Sequence, residues 1–172
     1  MKKKTQYWSY SNGGIVPNAD CAIHIQNDGL GTMRGMRVFS TAVAVGSVVF
    51  RLTSHLDRII LAAKHIGMQP NITKTQMQAI VQQVLAAQET SDMIMVRLIL
   101  SGQSAESTAV GMRAEFYVYV SAMPEYSDAL YQHGVWLGSY PHQRELAPVK
   151  LTNYVAAYMA RQQLSQIGRA HV

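Results

Sequence analysis

Residues 93–100 read Met-Ile-Met-Val-Arg-Leu-Ile-Leu, a stretch in which Arg97 is the only polar side chain. The run is far shorter than the roughly 20 apolar residues a membrane span needs. Polar residues precede it and Ser101-Gly102 follow it. An apolar run of this length between turn residues reads as a strand buried on both faces. Such a strand demands ladder partners on its edges and a covering layer.

The rest of the chain offers both. Residues 7–10 and 15–16 are β-prone and flank Ser11-Asn12-Gly13-Gly14, and Asn-Gly in that setting is a strong hairpin signal. Residues 22–25 read as a further short strand, and residues 28–31 as a turn or loop. Residues 36–41 and 45–52 read as a second hairpin that pivots near Gly46. Residues 115–122 alternate, with Phe116, Val118 and Val120 on one side and Tyr117 and Tyr119 on the other. Two helices supply the cover. Ser54 reads as an N-cap with Asp57 behind it, and Leu56, Ile59, Ile60, Ala63 and Ile66 follow at helical spacing up to Gly67. Thr73 reads as the cap of a second helix with Met77, Ile80, Val81, Val84 and Leu85 on its apolar face. Residues 102–111 are small and polar, hence a loop. Residues 123–127 read as linker, residues 134–140 as a new strand, and Asn153 as the cap of a last helix running to Gly168, with Val155, Met159 and Ile167 among its apolar positions.

Charge and cysteine content narrow the function classes. The formal net charge is +5, but Lys2, Lys3 and Lys4 supply three of these charges and the arginines form no stripe. A short terminal run is a solvated tail, so no nucleic-acid partner is expected. Cys21 is the only cysteine, which leaves no intrachain disulfide framework and no thiolate zinc site. The histidines show no metal-ligand spacing, so no metal is expected. Without a signal-peptide pattern or a membrane-length apolar run, the reading is a cytoplasmic protein with no membrane partner.

One lysine stands out. Lys150 sits between apolar neighbours in Leu-Ala-Pro-Val-Lys-Leu-Thr-Asn-Tyr, residues 146–154, and leads straight into the last helix. On the residues alone, a solvated lysine with its stem along apolar surface is the commoner case. The alternative is an amine held for chemistry, because a neutral amine is a nucleophile and forms Schiff bases.

Three blocks in order tip that balance. Residues 50–58, Phe-Arg-Leu-Thr-Ser-His-Leu-Asp-Arg, fit a pattern Phe-Arg-Leu-x-x-His-Leu-x-Arg. Residues 96–102 form an Arg-containing strand ending in glycine, and residues 149–154 read Val-Lys-Leu-Thr-Asn-Tyr. Together with Gly134-Val135, these blocks resemble the fold-type IV pyridoxal-phosphate enzymes, the class IV aminotransferase family. That family contains branched-chain aminotransferases, D-amino acid aminotransferases and aminodeoxychorismate lyases. The resemblance runs from about Tyr10 to the last residue. It implies pyridoxal 5'-phosphate as cofactor, with Lys150 as the Schiff-base lysine and general base. It further implies Arg51 on the cofactor phosphate, Tyr154 near the cofactor's phenolic oxygen and Arg97 on a substrate carboxylate. His55 and Arg58 would hold the start of the first helix. Residues 28–39 depart from the family's Tyr-Gly-Asp-Gly-x-Phe-Glu-like block, and Arg34 and Arg37 add positive charge there.

The resulting expectation is an α+β chain. Residues 1–123 would form a small two-layer N-terminal domain and residues 124–132 a linker. Residues 133–172 would begin the larger cofactor-binding domain with its first strand and helix, its C-terminal part lacking. The expected reaction is transfer of an amino group between an amino acid, branched-chain type favoured, and a 2-oxo acid, in a homodimer. The alternatives are a lyase or D-amino acid aminotransferase of the same family, or an inactive fragment acting only in dimerisation.

Overall fold

The apolar run at residues 93–100 lies in the middle of a sheet. The structure, a computed structural model, describes residues 5–103, 112–135 and 137–166. Most of the expected loop at 102–111 and the expected helix end, with Ile167 and Gly168, lie outside the described residues. The strands are β1 (Trp8–Ser11), β2 (Gly14–Pro17), β3 (Arg37–Val45), β4 (Val48–Val49), β5 (Met68–Pro70), β6 (Met93–Gly102) and β7 (Met112–Ala122). They form one seven-stranded sheet in the order β2-β1-β7-β6-β3-β4, with β5 beside β7. Every pairing is antiparallel except that of β5 with β7. The helices are α1 (Gly29–Arg34), α2 (Leu52–His65), α3 (Lys74–Ala86), α4 (Asp128–His133) and α5 (Val155–Gln166). The architecture is the α+β class expected.

β6 pairs with β3 from Met93↔Val45 to Ser101↔Arg37, and with β7 from Ile94↔Ala122 to Gly102↔Ala114. Ile94, Val96, Leu98 and Leu100 are buried, whereas Met95, Arg97 and Ile99 are half-buried. The expectation of a strand buried on both faces is thereby corrected. Both α2 and α3 cover the same face, where Leu56, Ile59, Ala63, Met77, Val81 and Val84 meet Val38, Ala42, Phe116, Val118 and Val120. The opposite face carries Arg97, Tyr117 and Tyr119.

Local chemistry explains the other differences. Residues 22–25 join no ladder. Asn18, in a short 3₁₀ turn (Asn18–Asp20), ties that end of the chain down by donating from Nδ2 to the Val120 carbonyl at 2.7 Å. Residues 28–31 are not a loop: Asp28 is buried, its carbonyl accepts from the Thr32 N–H at 2.8 Å, and α1 begins there. α2 starts two residues before Ser54. Arg51 takes the left-handed conformation (φ 51°) and hands its carbonyl to the His55 N–H at 3.1 Å. Ser54 is therefore inside the helix and no cap. Thr73 does cap α3, in a reciprocal box with Gln76.

The chain divides into two compact units, Met1–Met123 with Pro148–Thr152, and Pro124–Ala147 with Asn153–Val172. In the second unit α4 takes up residues 128–132 of the expected linker and ends one residue past it. The described residues of 134–140 join no ladder there, in contrast to the strand expected. A strand exists through its hydrogen-bonded neighbours, and among the described residues none is a ladder partner of this stretch. α5 forms, with the Val155 N–H donating to Asn153 Oδ1 at 3.2 Å. No helix among the described residues is long and apolar enough to cross a membrane.

Candidate active site

Residues 148–152 belong to the first unit although they follow the second unit's first half in sequence. They return to the edge of β3. Leu151 bridges Val38 in antiparallel fashion, the Phe39 N–H donates to the Lys150 carbonyl at 3.0 Å, and the Thr152 N–H donates to the Arg37 carbonyl at 3.1 Å. Val149, beside them, is 1% exposed and joins the core. The half-buried Lys150 side chain is thus carried on a fixed backbone. Its Nζ stands 4.5 Å from the centroid of the Phe39 ring, a cation–π distance.

Phe39 alternates with Val38 and so faces away from α2 and α3. Arg97 shares that face, because it lies opposite Thr41, two residues beyond Phe39. The Arg97 guanidinium stands 5.9 Å from the centroid of Tyr119, its partner on β7. Tyr117 lies next along β7 on the same face and is buried. Burial first, and then the carboxylates of Glu115 and Asp28, push its phenol up to about 12.

Arg51 follows β4 on the same edge of β3 as Lys150, since β6 occupies the other edge. The Phe50 N–H donates to the Val43 carbonyl at 2.9 Å. Val43 lies four residues past Phe39, roughly 13 Å along the strand at the usual rise. The exposed Arg51 side chain stacks near Phe50, 5.6 Å from its centroid. Its positive φ is uncommon for a residue with a Cβ and is the kind of backbone feature that gathers at functional sites. The fold therefore puts Lys150 and Arg51 along one strand edge and Arg97 on the adjoining face. Tyr154 stands in the second unit, exposed, with its carbonyl accepting from the Tyr158 N–H at 3.0 Å. His55 reaches Ser40 on β3, Nδ1 to Oγ 2.8 Å, and so pins the first turn of α2 to the sheet.

Two participants are not evident from the sequence. Phe39, the platform under the lysine, is revealed by the bridge to residues 150–152. Its only sequence signal is its place two residues after Arg37 in an alternating strand. Asp28, read as a turn residue, lies buried against Arg37 and Ser101.

The pattern of the amino-transferase class IV family matches residues 37–170. No curated protein matches the chain in sequence. Among solved structures, a branched-chain amino acid aminotransferase from T.th. with pyridoxamine 5'-phosphate is similar at 18% identity and a TM-score of 0.71, over 97% of this chain and 58% of that one. A hypothetical aminotransferase from Mycobacterium tuberculosis, in apo form, is similar at 20% identity and a TM-score of 0.67, over 94% and 59%. The branched-chain aminotransferase from Thermoproteus uzoniensis with norvaline gives 19% and 0.59, over 70% and 42%. The chain thus spans between 42% and 59% of these relatives' lengths. At these identities the likeness is one of fold, and the family pattern carries the assignment. With that pattern covering most of its length, the chain belongs to the amino-transferase class IV family.

Proposed function

We propose that this polypeptide serves a pyridoxal-phosphate-dependent aminotransferase that moves an amino group between an amino acid, branched-chain type favoured, and a 2-oxo acid. The observation that carries this reading is the lysine at 150. Its backbone is hydrogen-bonded to β3, and its amine lies over Phe39 on the strand edge that also leads to Arg51. One primary amine, two arginines and two tyrosines suit an anionic aldehyde such as pyridoxal phosphate. An amine condenses with the aldehyde, and a planar fork of donors suits a phosphate.

When bound, pyridoxal phosphate supplies an electron sink for charge developing at the substrate's α-carbon. The chain's own residues do the rest. Lys150 would hold the cofactor by its amine and would move the proton at the substrate's α-carbon as general base. Arg51 would bind the phosphate. Arg97, supported on Tyr119, orients the substrate carboxylate. Tyr154 would serve the cofactor's phenolic oxygen.

The test is a titration with pyridoxal phosphate followed by borohydride reduction and peptide mapping. Label at Lys150, with a Schiff-base absorption band that Lys150→Ala abolishes, supports the reading. Label spread over other lysines overturns it. Branched-chain preference is read from an amino-donor panel on the cofactor-loaded protein before reduction, with 2-oxoglutarate as acceptor.

A further inference from the structure

β3 opens on an arginine whose side chain and backbone serve two different parts of the fold. Arg37 Nε donates to Ser101 Oγ at 2.8 Å, and an Nη donates to the Asp28 carboxylate. Ser101 Oγ donates to the other Asp28 oxygen, and Thr32 Oγ1 donates to Asp28 at 2.7 Å. Asp28 is 1% exposed and Ser101 0%. A carboxylate taken this far from water needs both a cation and donors to its oxygens. Arg37 supplies the cation, and Ser101 and Thr32 complete the shell. The packing is close enough to exclude a methyl group. A Cβ on Gly31 would stand 2.1 Å from Ser101 Oγ and 2.5 Å from Asp28 Oδ1.

The Arg37 backbone faces the lysine segment. Its carbonyl accepts from Thr152 at 3.1 Å, and two residues on, the Phe39 N–H donates to the Lys150 carbonyl at 3.0 Å. The two bonds flank the Val38↔Leu151 bridge. A bridge this short has little ladder of its own to resist fraying. Its geometry is only as firm as the strand it pairs with. The first residue of β3 is firm because its side chain is tied to a buried carboxylate.

We infer that the Asp28–Arg37–Ser101 cluster is a positioning device for Lys150. It fixes the start of β3, and through the Thr152 and Phe39 hydrogen bonds it sets where the Lys150 amine is presented. This deepens the proposed role of Lys150 and rests on it. Arg37, Asp28 and Ser101 are positioning residues acting through backbone and touch no reacting atom.

The test is site-resolved amide hydrogen exchange, with Lys150 trapping as a second readout. Ser101→Ala is the mild variant and Arg37→Met the strong one. Loss of one buried hydrogen bond to a charged group speeds exchange at the Thr152 and Phe39 amides by about tenfold. The α3 amides hold their protection. Borohydride labelling of Lys150 at sub-saturating pyridoxal phosphate falls in the same order. The double variant Asp28→Asn/Arg37→Met removes both charges. It recovers the unfolding midpoint relative to Arg37→Met, yet leaves Thr152 unprotected. The inference is overturned if Thr152 and Phe39 keep their protection in Ser101→Ala and Arg37→Met. It is overturned equally if they lose it only in step with α3, which marks a purely structural role. If Arg37→Met does not fold, Ser101→Ala decides. Labelling of a different lysine in the unaltered chain refutes the Lys150 reading instead, and leaves the exchange result standing by itself.

Discussion

α3 and α5 are 13 and 12 residues long and carry apolar residues at helical spacing, but their surroundings differ. α3 buries Met77, Val81, Val84 and Leu85 on the sheet. α5 leaves Val155 65%, Tyr158 67% and Met159 55% exposed. Most helix stability in a protein comes from packing an amphipathic face rather than from intrinsic propensity. An apolar stripe in a sequence therefore states a demand for cover, and only the rest of the fold says whether it is met. In the first unit every long element meets another. In the second, no described residue is buried.

The largest test of that contrast uses one residue type in both places. Met77→Ala removes a fully buried side chain and costs about 2–5 kcal/mol. Met159→Ala, on an exposed site, stays within about 0.5 kcal/mol. Urea unfolding of the two variants reads both values. A Met159 cost approaching that of Met77 breaks the contrast, because α5 would then be covered in solution.

Glycines sharpen it next. Gly31→Ala forces a Cβ between Asp28 and Ser101, both locked by hydrogen bonds, and costs about 1–3 kcal/mol. Gly138→Ala in the second unit meets the tip of Leu164, whose nearest atom is 2.5 Å away. That side chain can turn aside, and the cost is a fraction of the first. A smaller difference belongs to the capping box of α3. Thr73→Ala removes the acceptor of the Gln76 N–H and lowers stability by about 1 kcal/mol in the same unfolding measurement.

Much of the first unit was legible because its signals are local. Asn12-Gly13 gives the hairpin, Gly46 the pivot of β3 and β4, Thr73 the cap of α3, and residues 77–85 its buried face. What escaped depends on contacts distant in sequence. β5 is three residues long and exists by pairing with β7, more than forty positions on. Asp-Gly-Leu-Gly has the composition of a turn. It becomes a helix start because Gly31 lets Ser101 and Arg37 close around the Asp28 carboxylate. Ser54 has the chemistry of a cap, but Arg51 turns into the left-handed region and begins α2 earlier. Of the candidate site, Arg51, Arg97 and Lys150 were legible as residues through three ordered blocks. The Phe39 platform and the Arg37 anchor were not, because only the return of residues 148–152 to β3 brings them to Lys150.

The smallest effect concerns pH and tests whether acid sensitivity resides in the first unit. Burial, and then the Arg58 cation, hold His55 below its ordinary 6.5. The folded state therefore favours neutral His55, whose Nδ1 lies 2.8 Å from Ser40 Oγ on β3. On acidification the unfolded chain takes up this proton first. Stability from this group is fully present above about pH 6.5 and is lost as pH falls from there through the folded-state value. The melting temperature of the first unit should decline between about pH 7.5 and pH 5 in the unaltered chain. His55→Gln keeps a hydrogen-bonding group toward Ser40 but no titration in that window, so its decline should be shallower. An equal acid shift in both proteins would place the proton uptake on another group. A decline confined to the unaltered chain ties it to the contact that seats α2 on β3, beside the strand edge that carries Lys150.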